Sequence, residues 1–81
     1  MKLEVKLFAV ARQRVGADSV TIEVADDARV SDVRQALSQQ YPALSDVMRL
    51  MMVAVATDYA SDDTPLRPGQ EIALIPPVSG G

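Results

Sequence analysis

The order of hydrophobic patterns along the chain is the feature that most restricts its fold. Residues 2–7 and 19–24 alternate between apolar and polar side chains, as half-buried strands do. After them, apolar side chains recur at helical spacing, at Val33, Ala36, Leu37 and Tyr41. The chain is therefore predicted to begin with two strands followed by one long helix. The short link between the two strands favours their antiparallel pairing.

The remaining segments add further strands. Residues 51–57 are almost wholly apolar, which predicts a strand buried on both faces, and residues 71–75 predict a last strand. Residues 8–15 favour a short helix that Gly16 would cap. The polar segment over residues 58–68 leaves room for one more short strand.

Polar residues and proline mark the ends of the long helix. Ser31 is predicted to cap its N-terminus, because a hydroxyl accepts a hydrogen bond from a free backbone N–H, and Pro42 is predicted to stop it. Residues 43–49 are predicted to form a loop with a helical turn. One main helix lying across one face of a mixed sheet is an α+β fold, and this order of elements fits the β-grasp, or ubiquitin-like, plan.

Composition excludes several kinds of site and partner. The 81 residues include no Cys and no His, so thiolate metal sites, disulfides, thiol nucleophiles and a histidine base are excluded. Eleven acidic side chains against eight basic ones give a net charge of −3, which argues against nucleic acid as a partner. The apolar stretch that includes residues 51–56 is far below the roughly 18 residues that span a membrane. We expect a cytoplasmic domain with no membrane partner and no metal.

The C-terminal segment is where chemistry is expected. The last ten residues carry no charged side chain, and Pro76 and Pro77 end the last strand because neither can donate a ladder hydrogen bond. We therefore expect a β-grasp domain over residues 1–75 and an extended, flexible tail over residues 76–81. Two glycines at the tip would enter a narrow channel, which leaves the α-carboxylate of Gly81 as the reactive group.

That carboxylate needs activation before it can react. An ionised carboxylate is a poor electrophile, whereas an acyl-adenylate has a good leaving group that a sulfur donor or a lysine amine can displace. The alternative is an ordinary frayed terminus, the default for chain ends. The two interpretations differ in whether Gly81 is required for function.

Several segments resemble the small, sulfur-carrier subunits of molybdopterin synthase, a ubiquitin-like family. The matching residues are Val5 to Ala9 with Arg12 and Gly16, Leu66 with Gly69, and above all residues 71–81 (EIALIPPVSGG). The resemblance covers essentially the whole chain. Two positions depart from the family pattern: Ala56 stands where many members carry Asn, and Gln70 where many carry Asp. Both are predicted to be turn positions.

The resemblance implies a mechanism centred on Gly81. An ATP-dependent activating enzyme would adenylate its carboxylate, which would then become a thiocarboxylate. The large catalytic subunit of the synthase would receive the tail and pass the sulfur to a cyclic pyranopterin monophosphate. The tail residues that would insert are Pro76, Pro77, Val78, Ser79 and Gly80. This chain would bind no cofactor, ATP being used by the activating enzyme, and family members form a heterotetramer.

The resemblance also implies a docking surface on the sheet beside the tail. The matching positions are Phe8, Tyr59 and Ile75. Aromatic side chains are enriched at interfaces, but burial in the core is the alternative for Phe8 and Ile75.

Three functions remain open on the sequence. The first is the sulfur carrier of molybdopterin synthase in molybdenum cofactor biosynthesis. The second is a carrier of another pathway, of the thiamine type, or a ubiquitin-like modifier joined to lysines. Thiamine-type carriers tend to be shorter and to lack the Pro-Pro-Val-Ser lead-in. The third is a non-catalytic β-grasp binding module whose tail has no role.

Overall fold

The computed structural model describes residues 1–77, which form a five-stranded mixed sheet with one main helix. Its elements are β1 (Lys2–Leu7), α1 (Val10–Val15), β2 (Ser19–Glu23), α2 (Val30–Gln40), two 3₁₀ turns (Pro42–Leu44 and Met48–Leu50), β3 (Met52–Val55), β4 (Asp58–Tyr59) and β5 (Ile72–Ile75). The strands lie in the order β2-β1-β5-β3-β4. β1 and β5 are parallel, and the other neighbours are antiparallel. This order confirms the predicted α+β, β-grasp fold.

The inner face of the sheet carries the hydrophobic core. Its buried side chains are Leu3, Val5, Leu7, Val20, Ile22, Val53, Val55, Ile72 and Leu74. α2 covers this face with Val30, Val33 and Leu37, all fully buried. Burial of an apolar side chain of this size contributes about 1.5–3 kcal/mol. The contact between helix and sheet is therefore the main source of stability.

β3 is shorter than predicted because a tight turn begins at Ala56. Ala56 and Thr57 have φ angles of 50° and 75°, in the left-handed region. They form the two-residue turn of the β3–β4 hairpin, in which Val55 pairs with Asp58. Such turns require left-handed residues at both central positions and favour Asn and Gly there. The prediction that Ala56 occupies a turn position is confirmed.

The second departure from the family pattern leaves its turn intact. The Gln70 side-chain oxygen accepts a hydrogen bond from the backbone N–H of Arg67 at 2.7 Å. Between them Gly69 has a φ of 81°, a conformation that glycine adopts without strain. Gln70 therefore makes the side-chain-to-backbone bond for which Asp is favoured in turns.

α1 begins two residues later than predicted and ends at the predicted cap. Gly16 is left-handed, and its N–H donates to the Arg12 carbonyl at 2.8 Å. Phe8 stays with the sheet, because its N–H donates to the Leu74 carbonyl at 3.2 Å. Ala9 joins sheet to helix with φ 52° and ψ −127°, a strained conformation for a residue with a Cβ.

The prediction that Ser31 caps α2 is wrong. The cap is Arg29, two residues before Ser31, so the helix begins at Val30, and the Asp32 carboxylate accepts a hydrogen bond from the backbone N–H of Arg29 at 2.8 Å. The N–H groups of Val30 and Ser31 donate to carbonyls within residues 61–64, each at 3.0 Å. A distant loop thus satisfies the free donors of the first turn, so no hydroxyl cap is needed.

Arg34 ties α2 to that loop and to the second 3₁₀ turn. Its Nε donates to an Asp62 carboxylate oxygen at 2.8 Å, and its Nη1 donates to the Met48 carbonyl at 2.7 Å. Asp62 is therefore part of an ion pair with a side chain that is only 20% exposed, and not merely a solvated loop residue.

The end of α2 and the segment after it follow the prediction. α2 stops at Gln40, and Pro42 begins the first 3₁₀ turn. Residues 43–49, predicted as a loop with a helical turn, contain parts of two such turns. None of the helices within residues 1–77 is long and apolar enough to cross a membrane.

Replacing Thr57 by glycine is expected to stabilise the protein. Relief of a left-handed backbone at a β-branched residue is worth about 1–2 kcal/mol, and the greater freedom of glycine in the unfolded chain removes about 0.4–1 kcal/mol of that gain. Urea denaturation should show the free energy of unfolding rising by about 0.5–1 kcal/mol. The control Thr21→Gly, at an exposed extended position of β2, should lower it instead. A loss of stability in Thr57→Gly would contradict the strain argument.

Candidate functional site

The sheet face opposite α2, which we call the outer face, carries a row of apolar side chains. Its members, assigned by strand register and alternation, are Phe8, Met52, Ala54, Tyr59, Ala73 and Ile75, and Lys6 lies beside them on β1. The register pairs Ala73 with Ala54, Ala54 with Tyr59, and Met52 with Ile75, and directly paired residues share a face. From β1 to β4 the row spans three strand spacings, roughly 14 Å.

The three docking residues that the resemblance indicates all lie on this outer face. Phe8 is 43% exposed and Tyr59 57% exposed, so neither belongs to the core. Ile75 is half-buried beside Met52, so it is neither sealed in the core nor fully free. The sequence left core burial open for Phe8, and the structure excludes it. Their contact with a partner stays a prediction.

The outer face includes one residue that sequence reasoning misplaced. Residues 51–57 are predicted to form a strand buried on both faces, but Met52 is half-buried on the outer face, whereas Met48 and Met51 are buried. The sequence of β3 shows no alternation of apolar and polar residues, because the residues on both of its faces are apolar. Only its pairing with Ile75 assigns Met52 to the outer face.

The tail begins at the end of β5, next to Phe8 and Met52. β5 ends at Ile75, and Pro76 and Pro77 follow it as exposed residues. β1 ends and β3 begins at this same end of the sheet, which we call the tail end. The remaining residues of the predicted site, Val78, Ser79, Gly80 and Gly81, lie outside the described residues. The boundary between domain and tail stays a prediction.

An ion pair borders the apolar row on β1 and β5. The Lys6 ammonium lies 2.9 Å from a Glu71 carboxylate oxygen. The hydrogen bond from that ammonium to Glu71, and then the charge of Glu71, raise the pKa of Lys6 above its usual 10.5. Lys6 is therefore a permanent cation at neutral pH, paired at the edge of the outer face.

Two arginines on α1 are also paired. Arg12 lies 3.7 Å from Asp18, and both side chains are well exposed. Arg14 bonds to Asp46 and to the Ala43 carbonyl, which connects α1 to the first 3₁₀ turn. Both side chains remain exposed while forming these contacts.

Residues 1–77 lack two features that often accompany a catalytic or metal site. Within this range no polar or charged side chain is buried. That same part of the chain contains no group of three acidic side chains that could hold a metal ion. Catalytic groups usually sit in concave, partly buried sites where their pKa values are shifted.

Comparison with known proteins identifies the family. A family model described as the ThiS family matches residues 5–81. The chain belongs to the ThiS family. A curated relative, the molybdopterin synthase sulfur carrier subunit of Chlamydomonas reinhardtii, is 35% identical, with 100% of both chains covered.

Solved structures of ThiS-like proteins share the fold. A small archaeal modifier protein 1 from H. volcanii has a TM-score of 0.85 at 31% identity, with 95% of this chain and 98% of that chain covered. A chain from a complex of subunits 1 and 2 of molybdopterin-converting factor from Helicobacter pylori has a TM-score of 0.70 at 28% identity, with 100% of both chains covered. The recognition of the family from the sequence is confirmed.

Replacing Glu71 by glutamine is expected to lower the pKa of Lys6 toward 10.5, because Glu71 is the main cause of the rise. An NMR titration of the Lys6 side chain measures this. Glu4→Gln should lower the pKa less, since Glu4 acts through charge alone. Because folding raises the pKa of Lys6, its ion pair contributes fully to the stability of the folded state at pH values below the pKa of the unfolded chain. This contribution is lost as the pH rises through the pKa of the folded state. The pKa argument is wrong if Glu71→Gln leaves the Lys6 titration unchanged.

Proposed function

We propose that this protein is the sulfur carrier of molybdopterin synthase and that Gly81 carries the sulfur as a thiocarboxylate. The observation that carries the proposal is the base of the tail. A strand hydrogen-bonded on both sides ends at two exposed prolines, and the sequence continues with Val-Ser-Gly-Gly. A strand that is hydrogen-bonded on both sides fixes the position from which a narrow reactive segment extends. The similarity to curated sulfur carrier subunits over the full chain supports this assignment.

The chemistry begins with activation of the Gly81 carboxylate. A carboxylate oxygen attacks the α-phosphate of ATP on an activating enzyme, and pyrophosphate leaves. Sulfur at the oxidation level of hydrosulfide, HS⁻, then attacks the acyl carbon and AMP leaves with one carboxylate oxygen, and loss of the thiol proton gives a thiocarboxylate in which sulfur replaces that oxygen. This chain holds no cofactor in the proposal, because the activating enzyme uses the ATP. The absence of buried polar side chains within residues 1–77 supports a carrier whose partners supply the catalytic groups.

Delivery requires a partner that takes the tail. In the proposal, the large subunit of the synthase accepts residues 76–81 and docks on the outer face around Phe8, Tyr59 and Ile75. There the sulfur passes to a cyclic pyranopterin monophosphate. The similar chain in the complex of two molybdopterin-converting factor subunits supports a partner of this kind. We place the assembly in the cytoplasm as a heterotetramer.

Intact-mass spectrometry tests the role of Gly81. After incubation with ATP, a candidate activating enzyme and a sulfur source, the protein should gain the mass that corresponds to replacing one oxygen by sulfur. Fragmentation should localise the gain to Gly81. A variant lacking Gly81 is the control and should gain nothing at that position. An unchanged mass, with an activating enzyme that is active on another carrier, would count against the proposal.

Replacing Phe8 by aspartate is expected to weaken binding of the large subunit about tenfold or more, because a charge would enter the apolar contact. Isothermal titration calorimetry measures the dissociation constant. Phe8→Leu should retain most of the affinity. Gln35→Asp, at an exposed position of α2, adds the same charge on the opposite side of the sheet and should have little effect. If Phe8→Asp binds the large subunit with wild-type affinity, the outer face is not part of the interface.

A second candidate function is that of a protein modifier. Its support is the similarity to a small archaeal modifier protein at a TM-score of 0.85. A lysine amine would then displace AMP from the same acyl-adenylate and form an isopeptide bond. Covalent adducts on lysines after activation would favour this function, and turnover by the large subunit favours the first. A thiamine-type carrier would neither be turned over by the large subunit nor form adducts on lysines. A binding module would function without Gly81.

A further inference from the structure

One exposed apolar side chain has no place in the docking surface described above. Large hydrophobic side chains are exposed at three positions within residues 1–77: Phe8, Tyr59 and Leu50. The first two lie on the outer face. Leu50 is 57% exposed and ends the second 3₁₀ turn, Met48–Leu50.

Strand register places Leu50 beside the base of the tail. Met52 pairs with Ile75, the last residue of β5, and the two strands are antiparallel. The chain therefore enters β3 at the same end of the sheet where β5 stops. Leu50 precedes Met52 by two residues, at most about 7 Å along the chain. Phe8 flanks β5 on the opposite side, since its N–H donates to the Leu74 carbonyl.

The turn that presents Leu50 is held in place. The side chain of Met48 is buried, and successive side chains of a 3₁₀ turn point about 120° apart. Arg49 and Leu50 are accordingly both exposed. The Met48 carbonyl accepts a hydrogen bond from Arg34 at 2.7 Å, and the Leu50 N–H donates to the Val47 carbonyl at 2.9 Å. A surface held this way loses little conformational freedom when it binds.

The charge next to Leu50 points to the chemistry of a partner. Arg12, Arg14 and Arg34 each form an ion pair with an aspartate. The other three arginines, Arg29, Arg49 and Arg67, form no ion pair among residues 1–77, and of these Arg49 is the one next to Leu50. Arginine is enriched at protein interfaces, where it pairs with carboxylates of the partner.

We propose that Arg49 and Leu50 form a second contact with the partner that takes the tail, on the β3 side of the tail base. The rim of the partner's channel would place an apolar side chain against Leu50 and a carboxylate against Arg49. This inference rests on the proposed function, because its occupant is the large subunit. A channel that encloses the tail as far as Pro76 would contact the sheet on both sides of β5. Phe8 lies on only one of these two sides. The new contact adjoins the outer face through Met52.

The test measures affinity of full-length variants for the large subunit at two salt concentrations. Arg49→Glu should weaken binding about tenfold or more at low salt and less at high salt, because screening weakens a charged rim contact. Leu50→Ala should weaken it about fivefold at both salt concentrations, since an apolar contact is not screened. The matched controls Arg67→Glu and Gln35→Ala, at exposed positions away from the tail end, should stay within about twofold of the wild-type affinity.

Each outcome decides for or against the second contact. Variants that bind like their matched controls would overturn it. So would variants that bind normally but are adenylated poorly, because the residues would then belong to the contact with the activating enzyme. A wild-type chain that binds no large subunit and gains no sulfur overturns the proposed function and this inference together. Normal wild-type binding with unaffected variants overturns the second contact alone.

Discussion

The structure depends on the insertion of β5 between β1 and β3. Ile72 and Leu74 on this strand are fully buried, and the strand is hydrogen-bonded to a neighbour on each side. The parallel pairing with β1 joins the first strand of the chain to the last. Such non-local pairing has a high loop-closure cost and forms only when the core against α2 compensates for it. The position of the tail base follows from this one strand.

The alternation along the strands divides the side chains between two faces of the sheet. On β1 and β5 one set of side chains builds the core under α2, and the other set forms the outer face. A change at Ile75 or Met52 should therefore have a limited effect on folding, because both are only half-buried. Within residues 1–77 no polar or charged side chain is buried, so the core under α2 is wholly apolar in that part of the chain.

Backbone strain is concentrated at two connections next to the outer face. Ala9 lies directly after Phe8, and Ala56 and Thr57 lie directly before the strand that carries Tyr59. Positive φ at residues with a Cβ costs about 1–3 kcal/mol each and persists only where the surrounding structure enforces it. At Ala56 and Thr57 the enforcing contacts are the strand pairings on both sides of the turn, and at Ala9 they are the hydrogen bond from Phe8 to Leu74 before it and the first turn of α1 after it. The aromatic side chains are thus presented from connections that the sheet holds in strained conformations.

The sequence by itself determined the order of elements, the core faces of β1, β2 and α2, the stop at Pro42, the cap at Gly16 and the end of the last strand before Pro76. These features rest on local spacing and on backbone chemistry, which a short window contains. Tertiary structure alone decided the cap of α2, the outer-face position of Met52 and the placement of Leu50 near the end of the sheet where β5 stops. Each depends on a partner distant in sequence: the loop over residues 61–64, the register with Ile75, and the antiparallel approach of β3 to β5. Side-chain patterns report which face a residue occupies, but they carry no information about which strand lies next to it.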